Sequence, residues 1–433
     1  MRQIQWIIIA FSLLLMSTNA LGKKVTWWIE TGTPEEILQT QIIDIFQNEN
    51  PGIEIEISIQ ENLNDVLRTA ILGKKAPDLL TTFGMGWNAP YIKGGFMEPL
   101  DRYAEKWDWE MKLQAWALEA GKLNGKLYAL PFSYETIIVL YNKSLFNEKN
   151  YSVPTNLKEL EELANALKKD NIQPFSYGKN PNWWNTGHLM TGYLNNAMKL
   201  EDLQSLLRGN KKWTGPEMTN AIKLFNKHMI EESWWSGGVQ NYYQMGNEDF
   251  YTALASREAA MVMVGTWSFS DVDGYFNETG DDWDWFPIPS MVEGQEYNYS
   301  LGVGSSLAVN SNSDVKEEAA KFLDFLLSDV SRAMALAGGY NYGQVIPIKM
   351  TADDFPKSVD QRIKSYHADF SKVTTEGRYG YTNYTFWPSK ANNHMRKEIE
   401  GVWEEMESLE DYLQKHQDIW DELREEGETI PIP

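Results

Sequence analysis

GKLYALPFSYETIIVLYNKSLF, residues 125–146, is the stretch whose reading decides the fold. A short apolar strand, Leu127 to Leu130, runs into Pro131, and the polar-aromatic corner Ser133-Tyr134-Glu135 follows. A second β-branched run, Ile137 to Tyr141, then leads to Asn142-Lys143. Two strands joined through a proline-stiffened corner suit a chain passing from one domain to another, with Tyr134 and Glu135 facing the gap. A strand pair inside one domain fits the same residues equally well, so the choice depends on the rest of the chain.

Towards the N-terminus, Val25 to Ile29 reads as a strand with Glu30-Thr31-Gly32 as its carboxyl-end loop. Thr33 is placed to cap a helix, with Pro34 first in it, Glu36 completing a capping box, and Leu38, Ile42, Ile45 and Phe46 inward. Ile53, Ile55, Ile57 and Ile59 alternate with polar residues in a half-buried strand. A short helix near Leu63–Leu72 and a buried run, Leu79 to Thr82, complete a strand–helix–strand–helix–strand order, the pattern of a doubly wound parallel sheet. Phe83-Gly84-Met85-Gly86-Trp87 leaves the third strand where open α/β sheets line a ligand crevice; its glycines allow close approach and Trp87 offers a flat apolar face.

Towards the C-terminus, Val153-Pro154-Thr155 opens a helix with Leu160, Leu163, Ala164 and Leu167 inward. Trp183 and Trp184 stand beside Pro and Asn, outside any apolar stripe, a context that favours a ligand cleft over the core; for Trp234/Trp235 the balance tips towards the core. Ala259 to Val264 reads as a buried strand, ended by Gly265, with Trp267 emerging just after. Pro287 and Pro289 stiffen a second passage between domains, and Ile346-Pro347-Ile348 leads to a third, with Tyr340 just before it. Gly302-Val303-Gly304 precedes a strand instead of joining strand to helix, so it is no dinucleotide fingerprint.

Several of these tracts share one likeness. Pro131-Phe132-Ser133 with Val139-Leu140-Tyr141-Asn142, Phe146 and Glu148 resembles the signature of the family 1 extracellular solute-binding proteins, the sugar-binding components of bacterial ABC importers. Ala76-Pro77-Asp78-Leu79-Leu80, Gly94 to Leu100, Pro154-Thr155 with Glu159-Leu160, and Glu258 to Trp267 resemble it too. Ile138 and Leu157 depart, standing where the family commonly has a small residue and a tryptophan. The resemblance implies an α/β, two-lobe periplasmic-binding-protein fold (type II-like) with three interdomain crossings near Pro131, Pro287 and Pro347. It implies an N-terminal lobe of residues 21–131 plus 288–346 and a C-terminal lobe of 132–287 plus 347–433. It also implies that Trp267 stacks on a sugar ring, that backbone around Gly302 contacts ligand, and that an inner-membrane ABC permease is the partner.

Sugars expose C–H-rich faces and a rim of hydroxyls, so a binder wants flat aromatics and planar polar groups. The polar candidates are Glu30, Glu135 and Arg378; the aromatic ones are Trp87, Tyr134, Trp183, Trp184, Trp267, Tyr340 and Trp387, with Gly302 as a backbone contact. So many aromatics favour an oligosaccharide over a monosaccharide. The rival reading is a secreted carbohydrate-active enzyme, a glycoside hydrolase or lyase, for which Glu258, Asp281, Asp282 and Asp284 supply carboxylates. Against catalysis, the five histidines show no metal-ligand spacing and read as surface or locally satisfied residues. There is no G-x-S-x-G elbow, and Asp271-Val272-Asp273-Gly274 lacks the closing ligands of a calcium loop. No cofactor, metal or catalytic residue is expected.

Composition sets the frame. The chain has 433 residues, more than one core usually organises, so two domains are expected. Its 39 basic and 61 acidic residues give a formal charge of −22, which disfavours nucleic acid and anionic membrane as partners. With 18 Trp and 21 Tyr the chain is richer in aromatics than core packing requires. Arg2, the apolar run Trp6 to Met16 and the small residues Thr18-Asn19-Ala20 read as a cleavable signal peptide over residues 1–20. The absence of cysteine removes disulfides, thiolate chemistry and a lipid-modified N-terminal Cys, so a free monomer in a periplasm is expected.

Overall fold

The computed structural model describes residues 22–180 and 184–432; the expected signal peptide and Trp183 lie outside them. Twelve strands are found among the described residues. They are β1 (Lys23–Glu30), β2 (Ile53–Gln60), β3 (Leu79–Thr82), a small ribbon of β4 (Lys122–Leu123) and β5 (Lys126–Leu127), and β6 (Ala129–Glu135). The others are β7 (Ile137–Asn142), β8 (Gln173–Phe175), β9 (Ala259–Gly265), β10 (Trp283–Phe286), β11 (Tyr299–Val309) and β12 (Tyr379–Tyr381). One sheet runs β12-β11-β3-β1-β2 with β6 also on β11; the other runs β10-β7-β9-β8. Each sheet carries its own large apolar core, so the chain forms two α/β lobes.

Local chemistry accounts for most elements. β1 pairs with β2 in parallel, Val25 opposite Ile55 and Ile29 opposite Ile59. The helical stretch after β1 starts at Glu35 and has no side-chain cap, because the Thr33 N–H is bonded to the Glu30 carbonyl (3.1 Å) in a turn instead. Its middle, Leu38–Ile43, is π-helical. The wider turn rotates the apolar stripe, burying Ile43 and leaving Ile45 39% exposed, where a regular α-helix puts Ile45 inward.

The passages between lobes depend on strand pairing, and the first two fall away from the expected prolines. Pro131 lies within β6, opposite Ser306 of β11, and β6 keeps that partner through Glu135. The sheet changes at Thr136, which is fully buried and whose carbonyl accepts from the Thr266 N–H (3.0 Å). β11 makes the return passage within a single strand. Tyr299–Leu301 pairs with β12, while Gly302–Ala308 pairs with β6 through a bulge around Gly304. Ser300 Oγ braces both strands, 3.3 Å from Thr136 Oγ1 and accepting from the Ile137 N–H. Residues 288–301 therefore pack with the second lobe, as Ile288 in its core and the Met291 N–H bonded to the Asn196 carbonyl show. Val345 and Ile348 bridge to Tyr134 and Leu113, so the third passage follows Ile348 and precedes the helix Gln361–Thr375. Proline marks stiff chain; it does not mark where a sheet ends.

Candidate functional site

Between the lobes lies a hollow of about 400 Å³, joined along Glu30, Phe83, Trp267, Asp271 and Gly304 to a second of about 450 Å³. Loops at strand carboxyl ends build both, as expected for open α/β sheets. Glu30 ends β1, Phe83 follows β3, and Trp87 stands on the first turn of the helix Met85–Lys93. The second lobe supplies Trp184 and His188 from the helix Trp184–Asn196, and Trp267 and Asp271 from beyond β9.

Trp267 owes its place to the glycine before it. Its indole folds back over the strand end so closely that a Cβ on Gly265 would lie 1.9 Å from the ring. His188 packs against the indole at a tilt, ring centroids 4.9 Å apart. Burial holds the His188 imidazole neutral, its pKa pushed down to about 3, and Nδ1 pairs with the Tyr177 hydroxyl at 2.9 Å. Trp87 and Trp184 meet across the gap with centroids 6.1 Å apart, and both line the hollow. Arg396, itself buried, covers the Trp184 ring at 3.8 Å without lining either hollow.

Glu135 forms part of the floor, at the crossing itself. It is 5% exposed, accepts from Gln344 Nε2 (3.1 Å) and stands beside Tyr384. Burial raises its carboxyl pKa to about 7, against the opposing pull of those two neighbours. Gly304 makes room for it, since a Cβ there would lie 2.6 Å from Glu135 Oε2. Glu30 and Asp271 are also raised, in each case by desolvation first.

Of the residues expected from sequence, the structure brings Glu30, Trp87, Glu135, Trp184, Trp267 and Tyr340 to the hollows, Tyr340 to the second only. Four others it places elsewhere. Tyr134 points away from Glu135 by strand alternation and is core, its hydroxyl 2.7 Å from His367 Nδ1 and its ring stacked on Phe370. Gly302 is buried beneath the floor, between Tyr384 and Glu135. Arg378 pairs with Glu296 (3.2 Å) and Glu376 (2.6 Å) and donates to the Tyr297 carbonyl (3.0 Å), outside the hollows. Trp387 is core, packed on Trp213 and Trp420. Trp234 and Trp235 are fully buried too. Gly84 and Gly86 permit an approach, but to the other lobe: a Cβ on Gly86 would meet the Trp387 carbonyl at 2.8 Å.

Sequence reading missed Asn64, Tyr177, Asn185, His188, Asn247, Asp271 and Gln344. Asn185 and His188 lie one and four residues past Trp184, so helical spacing could have found them once Trp184 was placed. The carboxylates proposed for the enzyme reading are engaged elsewhere or exposed. Asp281 binds Arg257 and Asp284 binds Lys143, Asp282 pairs with Arg362, and Glu258 faces solvent; none lines a hollow.

The comparisons agree with this architecture. The profile of the bacterial extracellular solute-binding proteins matches residues 28–333, and the chain belongs to that family. A multiple sugar-binding protein of Streptococcus mutans serotype c is 22% identical over 375 residues, covering 84% of each chain. A chitin oligosaccharide binding protein superposes with a TM-score of 0.76 at 18% identity, over 93% of this chain and 98% of that one. The solute-binding protein RafE, solved with raffinose, superposes at 0.70 and 18% identity, over 91% and 98%. The family is one of substrate-binding proteins, and the enzyme reading finds no support.

Proposed function

We propose that this protein is the periplasmic substrate-binding component of an ABC importer and captures an oligosaccharide between its lobes. The observation that carries the reading is the paired hollow, with Trp87, Trp184 and Trp267 as flat faces and carboxylates and amides among them. Glu30, Trp87, Glu135, Trp184, Trp267 and Tyr340 are the proposed contacts, joined by Trp183 on its position beside Trp184. The sugar-binding names of the relatives support the same class of ligand. Binding is the whole activity: the lobes close about their three passages, and the closed form is favoured because both lobes then touch the sugar. The boundaries proposed are those of the strand pairing, at Thr136, at Leu301–Gly302 and after Ile348. A monomer released from a cleaved leader, reading out to an inner-membrane permease, completes the proposal.

Calorimetry and X-ray scattering with maltotriose, raffinose, chitotriose and xylotriose test it. Saturable binding, a smaller radius of gyration and recovery of the sugar intact are expected. Cleavage of a bound sugar, or a scattering profile unmoved by a sugar that binds, overturns it.

A further inference from the structure

We infer that the cleft selects by charge, rejecting saccharides that carry a carboxylate, with Glu30, Glu135 and Asp271 as the residues that enforce the rejection. This rests on the sugar-binding reading and narrows it to a ligand class. Three carboxylates line the joined hollows, while no lysine or arginine does so among the described residues. The neighbouring residues 181–183, Pro-Asn-Trp, bring no charge by sequence. His188, the one imidazole in the lining, is held neutral by burial. Arg396 is buried against the Trp184 indole, outside the lining.

Several carboxylates outside the cleft meet cations: Asp281 with Arg257 (2.6 Å), Asp360 with Arg362 (2.5 Å) and Glu400 with Lys179 (2.6 Å). In the cleft, desolvation is the leading influence on all three carboxyls, and no neighbouring cation offsets it. Nor do they converge as a chelate, since among the described residues no three acidic or imidazole groups could hold a metal ion. They are spread over the lining, Glu30 from the first lobe, Asp271 from the second and Glu135 at the crossing. Hydroxyls can donate to each of them, whereas an anionic group would enter beside like charges, with no lysine or arginine in the lining to receive it.

The test compares maltotriose, raffinose and chitotriose, each against the same sugar oxidised at C6 to the carboxylate, by calorimetry at pH 8. For whichever neutral sugar binds, the oxidised form is expected to bind at least tenfold more weakly, about 1.4 kcal/mol. Glu30→Gln and Asp271→Asn, with thermal melts to verify folding, should each narrow that gap. Equal or tighter binding of the oxidised sugar overturns the inference while leaving the sugar-binding reading intact. A gap that neither substitution changes overturns the assignment to these carboxylates. If no sugar of either kind binds, the sugar-binding reading fails first and the charge selection falls with it.

Discussion

The tryptophans divide into two populations that look alike in sequence and differ in what they touch. Trp87, Trp184 and Trp267 are half-buried and border the cleft. Trp213, Trp234, Trp235, Trp387 and Trp420 are buried almost completely, and Trp213 stacks on Trp420 with centroids 5.0 Å apart. Members of both populations sit beside Gly, Ser, Pro or Asn, as Trp87, Trp184 and Trp267 do in the first and Trp234, Trp235 and Trp387 in the second. The difference is where the strand or helix before each ring aims it: into the gap between the sheets, or under the helices of the second lobe. An aromatic-rich composition is thus not by itself a count of ligand contacts.

Four measurements sharpen or break that division. Trp387→Ala should be the most damaging, destabilising the protein by about 3–5 kcal/mol as a filled core position empties, read by urea unfolding. A small loss there would mean that Trp387 is not core. Glu135 comes next, through pH. Its folded pKa of about 7 lies above the ordinary 4.5, so the folded state binds the extra proton between those values. Stability should therefore fall as pH rises from about 4.5 through 7, by up to roughly 3 kcal/mol, and flatten above. Glu135→Gln should remove that slope; a slope that survives would assign it to another group.

Trp267→Ala should weaken sugar affinity tenfold or more, at least about 1.4 kcal/mol, with little change in melting temperature. Gly265→Ala should copy part of that loss by pushing the indole aside, which separates a placed ring from a merely present one. Unchanged affinity in both would remove Trp267 from the site. The smallest effect belongs to Arg378→Ala, whose ion pairs are on the surface: below about 1 kcal/mol in stability, and none in affinity.

β1, β2 and β3 of the first sheet were legible in sequence because each obeys a local rule, whereas β12 was not expected and Gly302-Val303-Gly304, read as preceding a strand, lies within β11. Ile53, Ile55, Ile57 and Ile59 alternate, and Leu79 to Thr82 is a continuous buried run. That Glu30, Trp87 and Trp267 border the hollows was legible for a related reason: a side chain at or just past a strand's carboxyl end has few places to go other than the crevice. Tyr134 was misjudged although it adjoins Glu135, since a strand presents neighbours to opposite faces and only the pairing with β11 tells which face meets the gap. His188, by pattern a surface residue, became part of the wall because its helix lies against β9.

What the sequence determined by itself was the alternation of strands and helices, the family, and the ring at the end of β9, all set by residues within a few positions of one another. Only the tertiary structure decided where the chain changes lobe, which tryptophans are walls and which are core, and that the cleft holds carboxylates without cations. Those outcomes depend on contacts between residues a hundred or more positions apart, such as β6 with β11 and Gly86 with Trp387, and no local pattern encodes which distant partner a side chain will meet.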